Sequence, residues 1–239
     1  MTERGARGFS VRKTRLLLWA AAGLPSLGAR VELLSGLLLG LPYRAEPLGG
    51  GPDAREVLDA SLDGFDCVTY VETVLALSRS ARAEDLASWL RRVRYDGGRV
   101  EWRHRHHYMT GWLRANARAG LVRSVAPRGL AASRERLLDC VPGLPPRRVR
   151  FSCVPKARLP RLARHLATGD VVLFASTRRH LDVFHCGILV GTEGGWRLRH
   201  AARSRGSVVE QELDDFLRAN RMAGLVVARP VDAPPGAPA

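Results

Sequence analysis

The stretch VVLFASTRRHLDVFHCGILVGTEGGWRLRHA, residues 171–201, decides the fold class. It contains three short apolar runs, at 171–175, 183–190 and 196–201, separated by turn residues. Runs of this length and composition read as strands, and links this short join antiparallel neighbours. A helical piece at 212–220 and a closing strand at 224–229 follow.

Upstream, the apolar period changes from two to that of a helix. Residues 66–79 form the clearest case: Val68, Val71, Val74 and Leu75 recur at helical spacing, and Asp66 is suited to cap the N-terminus. Further helices are predicted at 29–41, 53–61, 83–93 and 108–120, and loops with short strands over the Pro-, Gly- and Arg-rich 121–160. Helices first and antiparallel strands afterwards give an α+β domain, not alternating βαβ units. The predicted limits are a domain over 30–231, an N-terminal extension over 1–29 and a disordered Pro/Ala-rich tail over 232–239. Residues 1–15 are polar and basic and read as loose. The apolar run 16–24 has two readings: the core of a signal peptide, which would direct the protein to the cell envelope or periplasm, or a first domain helix interrupted at Pro25. It is too short to span a bilayer, so no integral membrane segment is predicted.

A chain of 239 residues with 46% hydrophobic content has enough apolar material for one sizeable core. The formal charge of +15 raises the question of nucleic acid, but the arginines are spread along the whole chain, and only Lys13 and Lys156 are lysine. With no basic arm and no finger or aromatic–basic motif, no nucleic-acid partner is predicted. The surface charge fits an Arg-rich composition, or a field that attracts anionic polymers such as those of the cell wall. Four cysteines, at 67, 140, 153 and 186, include no CxxC pair, which excludes a disulfide scaffold and a paired-cysteine zinc site.

Cys67 stands directly after the predicted cap Asp66. A helix N-terminus stabilises a thiolate through its free N–H groups and its dipole, so this thiol suits a nucleophile; the plain alternative is a small buried hydrophobe. A nucleophilic thiolate needs a base, and the base needs an orienting partner. If 191–194 forms the loop of a hairpin, position 190 faces 195 and His185 faces His200, with their Cβ atoms about 4.5–5.5 Å apart. One imidazole would then orient the other. The alternative is two strand histidines with no shared role. A zinc site from Cys67, Cys186, His185 and His200 is disfavoured, because neighbours 185 and 186 point to opposite faces of a strand.

Six pieces occur in order: LLGLPY (38–43), GFDCVTYVETVLAL (64–77), RHHY (105–108), GDVV (169–172), LDVFHCGI (181–188) and His200-Ala201. Together they resemble the N-acetylmuramoyl-L-alanine amidase-like family, a branch of the NlpC-type papain-like cell-wall peptidases, over about residues 30–231. The resemblance implies a papain-like fold in which N-terminal helices carrying the nucleophile pack on a mainly antiparallel sheet. It implies Cys67 as nucleophile, His185 as general base, His200 as the orienting residue and Tyr43 as a neighbour that helps to stabilise the oxyanion. Arg105, His107 and Tyr108 match a substrate-pocket element, although a cluster of His and Arg is also what a solvated loop edge looks like. The implied substrate is peptidoglycan or muropeptide fragments, cut at the N-acetylmuramoyl-L-alanine amide without metal or organic cofactor. Two other readings stand beside it: an endopeptidase cutting after D-Glu, and an idle binding module for anionic wall polymers. Leu41 and Ala202 depart from the Thr and Ser common in the family. Cys140, Cys153 and Cys186 are expected to be buried packing residues.

Overall fold

The computed structural model describes residues 6–127 and 129–232. Its elements in chain order are α1 (Val11–Ala20), α2 (Leu27–Leu37), α3 (Cys67–Arg79), α4 (Asp85–Arg94), α5 (Met109–Arg118), β1 (Val122–Ser124), β2 (Ala132–Leu138), β3 (Arg147–Cys153), α6 (Leu159–Ala163), β4 (Val171–Ala175), β5 (Val183–Thr192), β6 (Gly195–Ala202), β7 (Ser207–Glu212), α7 (Leu213–Ala219) and β8 (Gly224–Pro230). The fold is α+β, with a six-stranded sheet in the order β1-β8-β4-β5-β6-β7 and every pairing antiparallel. β2 and β3 form a separate antiparallel ribbon.

The sheet is covered on both faces, which explains why all five residues of β4 are buried. Val171, Leu173 and Ala175 face the helical layer with Cys186, Ile188 and Ala201, while Val172 and Phe174 face Leu213, Phe216 and Leu217 of α7. At the centre of the helical layer lies α3, where Thr69 to Ser78 are all buried. Asp66 caps it: its carboxylate accepts from Thr69 N at 2.7 Å, and the Thr69 hydroxyl accepts from Asp66 N at 3.0 Å. Such a cap contributes about 1 kcal/mol. Burial of each of Val71, Val74 and Leu75 contributes roughly 1.5–3 kcal/mol more. The charged exception is Glu72, whose carboxylate accepts from Arg94 Nε at 2.6 Å, both side chains being 2% exposed or less. Arg94 also donates to the carbonyl of Asp59 at 2.7 Å and so ties α3 and α4 to the preceding loop.

Three expectations need correction. Residues 53–61 form no helix; Glu56, Leu58, Ala60 and Leu62 are buried alternately, the pattern of an extended segment. Its helix-forming residues are overridden by that period of two and by the tie to Arg94. Residues 6–15 are not loose: Arg7 forms a bridge with Asp59 and an ion pair at 2.6 Å, and α1 begins at Val11 with Ser10 as cap. The run 16–24 is the second half of α1 and the turn after it, with Leu18 and Ala21 buried against the helical layer. Residues 1–5 and the tail from 233 lie outside the described residues. The hairpin register is the third correction. β5 pairs with β6 as Ile188↔Arg199 through Thr192↔Gly195, leaving a two-residue loop at 193–194. The predicted pairing of 190 with 195 is therefore off by two residues. Because side chains alternate with period two, this shift keeps His185 and His200 on one face. Among the described residues, no helix is long and apolar enough to cross a membrane.

Candidate active site

Cys67 is the first residue of α3, beside the helix's unpaired first-turn N–H groups. Three separate parts of the chain converge on it. The first is the segment after α2. Tyr43 forms a parallel bridge with Phe65, where Phe65 N donates to Pro42 O at 3.0 Å and Arg44 N to Phe65 O at 2.9 Å. This contact is possible because residue 64 is glycine: its φ is +153°, and a Cβ there would stand 2.7 Å from Pro42 O. The Tyr43 phenol ionises above its usual range, through burial and then the negative charge of Cys67, and so keeps its proton as a donor beside the sulfur.

The second part is β5. The His185 side chain favours the ionised form of the Cys67 thiol. A bulge opposite Phe174 and Ala175 lets Phe184 and His185 both pack on the Phe174 side, and the imidazole stacks between Phe174 and Phe216 at centroid distances of 6.1 and 5.4 Å. Cys186, completely buried, donates its thiol to the Cys67 carbonyl oxygen at 3.2 Å. The Cys67 thiol ionises well below the usual range; the Cys186 side chain acting on the sulfur is the largest cause, burial opposes it, and the His185 side chain adds to it.

The third part is β6. His200 Nδ1 lies 2.6 Å from His185 Nε2, with the two rings nearly perpendicular. Burial, with the charge of His185 second, pushes the His200 pKa down to about 3, so this ring is neutral wherever the protein is folded near neutral pH. When His185 carries two protons it must donate from Nε2, so His200 accepts at Nδ1 and bears its own hydrogen on Nε2. That leaves Nδ1 of His185 for the sulfur. The close approach of β6 depends on Gly187, where a Cβ would meet Arg199 O at 2.6 Å and His200 Cβ at 3.1 Å. Arg199 in turn donates to the Glu32 carbonyl at 2.6 Å and ties this strand to α2.

In front of Asp66 and Val68 opens a cleft of about 550 Å³ whose walls include Arg105, His107, Trp102 and Cys140. Arg105 is 13% exposed and holds the loop at 49–56 by donating to Gly49 O and Glu56 Oε1, each at 3.0 Å. Tyr95 donates to the same Glu56 oxygen at 2.9 Å. His107 sits against Trp102 with centroids 4.4 Å apart, and burial lowers its pKa, so its neutral ring donates from Nε2 to Trp102 O at 2.7 Å. Tyr108 stands behind the wall. Its hydroxyl accepts from Val141 N at 3.2 Å, and burial pushes its pKa up to about 12. Of the three predicted pocket residues, two therefore line the cleft and Tyr108 braces the loop that closes it. Among the described residues, no three His, Cys, Asp or Glu side chains gather as a metal-ligand set.

Cys153 and Cys186 are buried as expected, but Cys140 is exposed at the cleft, because the Pro- and Gly-rich loop carrying it runs over the surface. The contact of Cys186 with Cys67, the Glu72–Arg94 pair and the Glu56–Arg105 pair are not among the predicted site features. For the last of these, the alternation at 56–62 was the available signal, since it places the Glu56 carboxylate inside.

The family model described as N-acetylmuramoyl-L-alanine amidase-like matches residues 33–225. No protein of curated function matches the chain significantly. Among solved structures, a Legionella pneumophila protein superposes with a TM-score of 0.81 at 21% identity, over 94% of this chain and 95% of its own. An N-acetylmuramoyl-L-alanine amidase from Bacteroides uniformis superposes with a TM-score of 0.77 at 24% identity, over 86% of this chain and 99% of its own. At these identities the two structures establish the likeness of fold.

Proposed function

We propose that this chain, which belongs to the N-acetylmuramoyl-L-alanine amidase-like family, is a cysteine-dependent hydrolase that cuts peptidoglycan fragments at the amide joining the N-acetylmuramic acid lactyl group to L-alanine. The observation that carries the reading is the series Cys67–His185–His200: a thiol ionised below its usual range, favoured in that form by one imidazole that is itself held by a second, neutral one. Nucleophile on a helix N-terminus and base on an antiparallel sheet is the arrangement we read as papain-like and NlpC-type. Residues 30–231 are then the catalytic unit, with α1 an added helix packed on it.

In this mechanism the Cys67 thiolate attacks the amide carbonyl carbon. The developing oxyanion is met by first-turn N–H groups of α3 and by the Tyr43 hydroxyl. The His185 imidazolium delivers its Nδ1 proton to the leaving nitrogen, the C–N bond breaks, and the amine departs. Neutral His185 then takes a proton from water, whose oxygen attacks the thioester and releases the acid. His200 keeps the His185 ring in one orientation and one tautomer throughout. The cleft walled by Arg105 and His107 takes the substrate, with the 49–56 loop held by Arg105 as one rim.

Mass spectrometry of defined muropeptides tests the reading. Wild-type protein should release free glycan and intact stem peptide, and Cys67→Ala should release neither. Glycan still carrying a dipeptide would mean cleavage after D-Glu instead, and unaltered hydrolysis by Cys67→Ala would remove the thiol from the mechanism.

A further inference from the structure

β5 offers two consecutive side chains to one sulfur. His185 acts in the chemistry set out above, and Cys186 has no part in it. Yet Cys186 is not placed as a packing cysteine would be. Its thiol donates to the backbone carbonyl of Cys67 at 3.2 Å, and it is also the largest influence favouring the ionised form of the Cys67 thiol. It is wholly buried, so water does not compete in either role. A thiol is a weak donor to neutral acceptors, but a thiolate is a charged acceptor, and hydrogen bonds to charged groups are the stronger kind.

We propose that Cys186 is a positioning residue for the amide hydrolysis: its single S–H, held on the Cys67 carbonyl while the Cys67 thiol is neutral, turns to that sulfur once it is ionised, so that a single strand positions the base and stabilises the nucleophile. The proposal rests on Cys67 being the nucleophile. The ionisation of the two thiols runs in opposite directions, as this division of labour requires. The bond to Cys67, followed by burial, holds Cys186 well above the usual thiol range, so it keeps the proton it donates.

The test is site-resolved iodoacetamide labelling of Cys67 across pH in the full chain, with Cys186→Ala, Cys186→Ser and parallel muropeptide turnover. Loss of one hydrogen bond to a charged group should make labelling of Cys67 in Cys186→Ala about tenfold slower near neutral pH. The gap should close in alkali, where the thiol ionises unaided. kcat should fall with KM nearly unchanged. Cys186→Ser, which keeps a donor, should recover most of the loss. A Cys186→Ala profile that overlays wild type, with hydrolysis intact, overturns the proposal and leaves the hydrolase reading standing. A Cys186→Ser profile as slow as Cys186→Ala overturns it too, because packing would then be the whole role. Slow labelling of wild-type Cys67 together with no hydrolysis sinks the nucleophile assignment and this proposal with it. If Cys186→Ala does not fold, Cys186→Val, close in volume and without a donor, takes its place.

Discussion

His185 and His200 meet nitrogen to nitrogen at 2.6 Å, and the two rings are held unequally: His185 is stacked between two phenylalanines, while His200 is 4% exposed and depressed to a pKa of about 3. The pair cannot share a positive charge evenly, because burial keeps the His200 ring neutral. Replacing His200 by Ala should therefore lower kcat/KM by about 10²-fold, by freeing the His185 ring to rotate and change tautomer. His200→Asn, which offers an oxygen acceptor, should retain more activity than His200→Ala. Steady-state kinetics on a muropeptide checks both, and equal activity in all three proteins would remove the orienting role.

The same burial makes His200 a source of acid sensitivity. Its folded pKa of about 3 lies below the ordinary value of 6.5. At neutral pH both folded and unfolded chains leave it uncharged, and it contributes nothing to the pH dependence. As pH falls below 6.5, the unfolded chain takes up a proton that the folded chain refuses until about pH 3, so stability is lost across that window. The loss should amount to a few kcal/mol, with an upper bound on the order of 1.4 kcal/mol for each pH step of one within the window. Urea titrations between these limits should show a shallower decline for His200→Asn than for wild type.

Tyr43 keeps its proton beside an ionised sulfur, the condition for a donor to a developing oxyanion. Tyr43→Phe should cost on the order of 10²-fold in kcat and little in KM. Since the segment is held by backbone bonds to Phe65 and Gly206, the variant should melt near the wild-type temperature. An unchanged kcat would leave the oxyanion to the helix N–H groups alone.

Gly187→Ala tests the contact between β5 and β6. The added methyl would stand 2.6 Å from Arg199 O and 2.7 Å from Leu198 Cδ1, both in the sheet interior. Overpacking of this kind costs typically about 1–3 kcal/mol. The strand that must move carries His200, so activity should fall further than thermal melting alone accounts for. A variant with wild-type stability and turnover would show that β6 has slack.

The fold class and the identity of the converging residues were legible because they depend on period and order. β4 stands at the predicted limits, α3 begins one residue after its predicted cap, and the histidines share a face. Register was not legible. Gly191, Gly194 and Gly195 all permit a turn, and composition does not say that the chain closes at 193–194. Period two forgives a shift of two, so the histidine pair survived a wrong pairing. Residues 53–61 misled because Ala, Arg, Glu and Leu favour a helix, whereas the buried destinations of Glu56, Leu58 and Ala60 are set by partners far along the chain. Cys186 was unreadable for the same reason: its function depends on an atom 119 residues away.

The sheet order has one more consequence. β8, the last strand described, lies between β1 and β4 in the interior of the sheet, not at its rim. A chain cut ahead of Gly224 would leave β4 with one partner strand in place of two and β1 with none in the sheet. Deleting β8 should therefore cost the protein its cooperative melting transition and not merely trim an edge, because the unpaired N–H and C=O groups of two strands would be laid open to solvent.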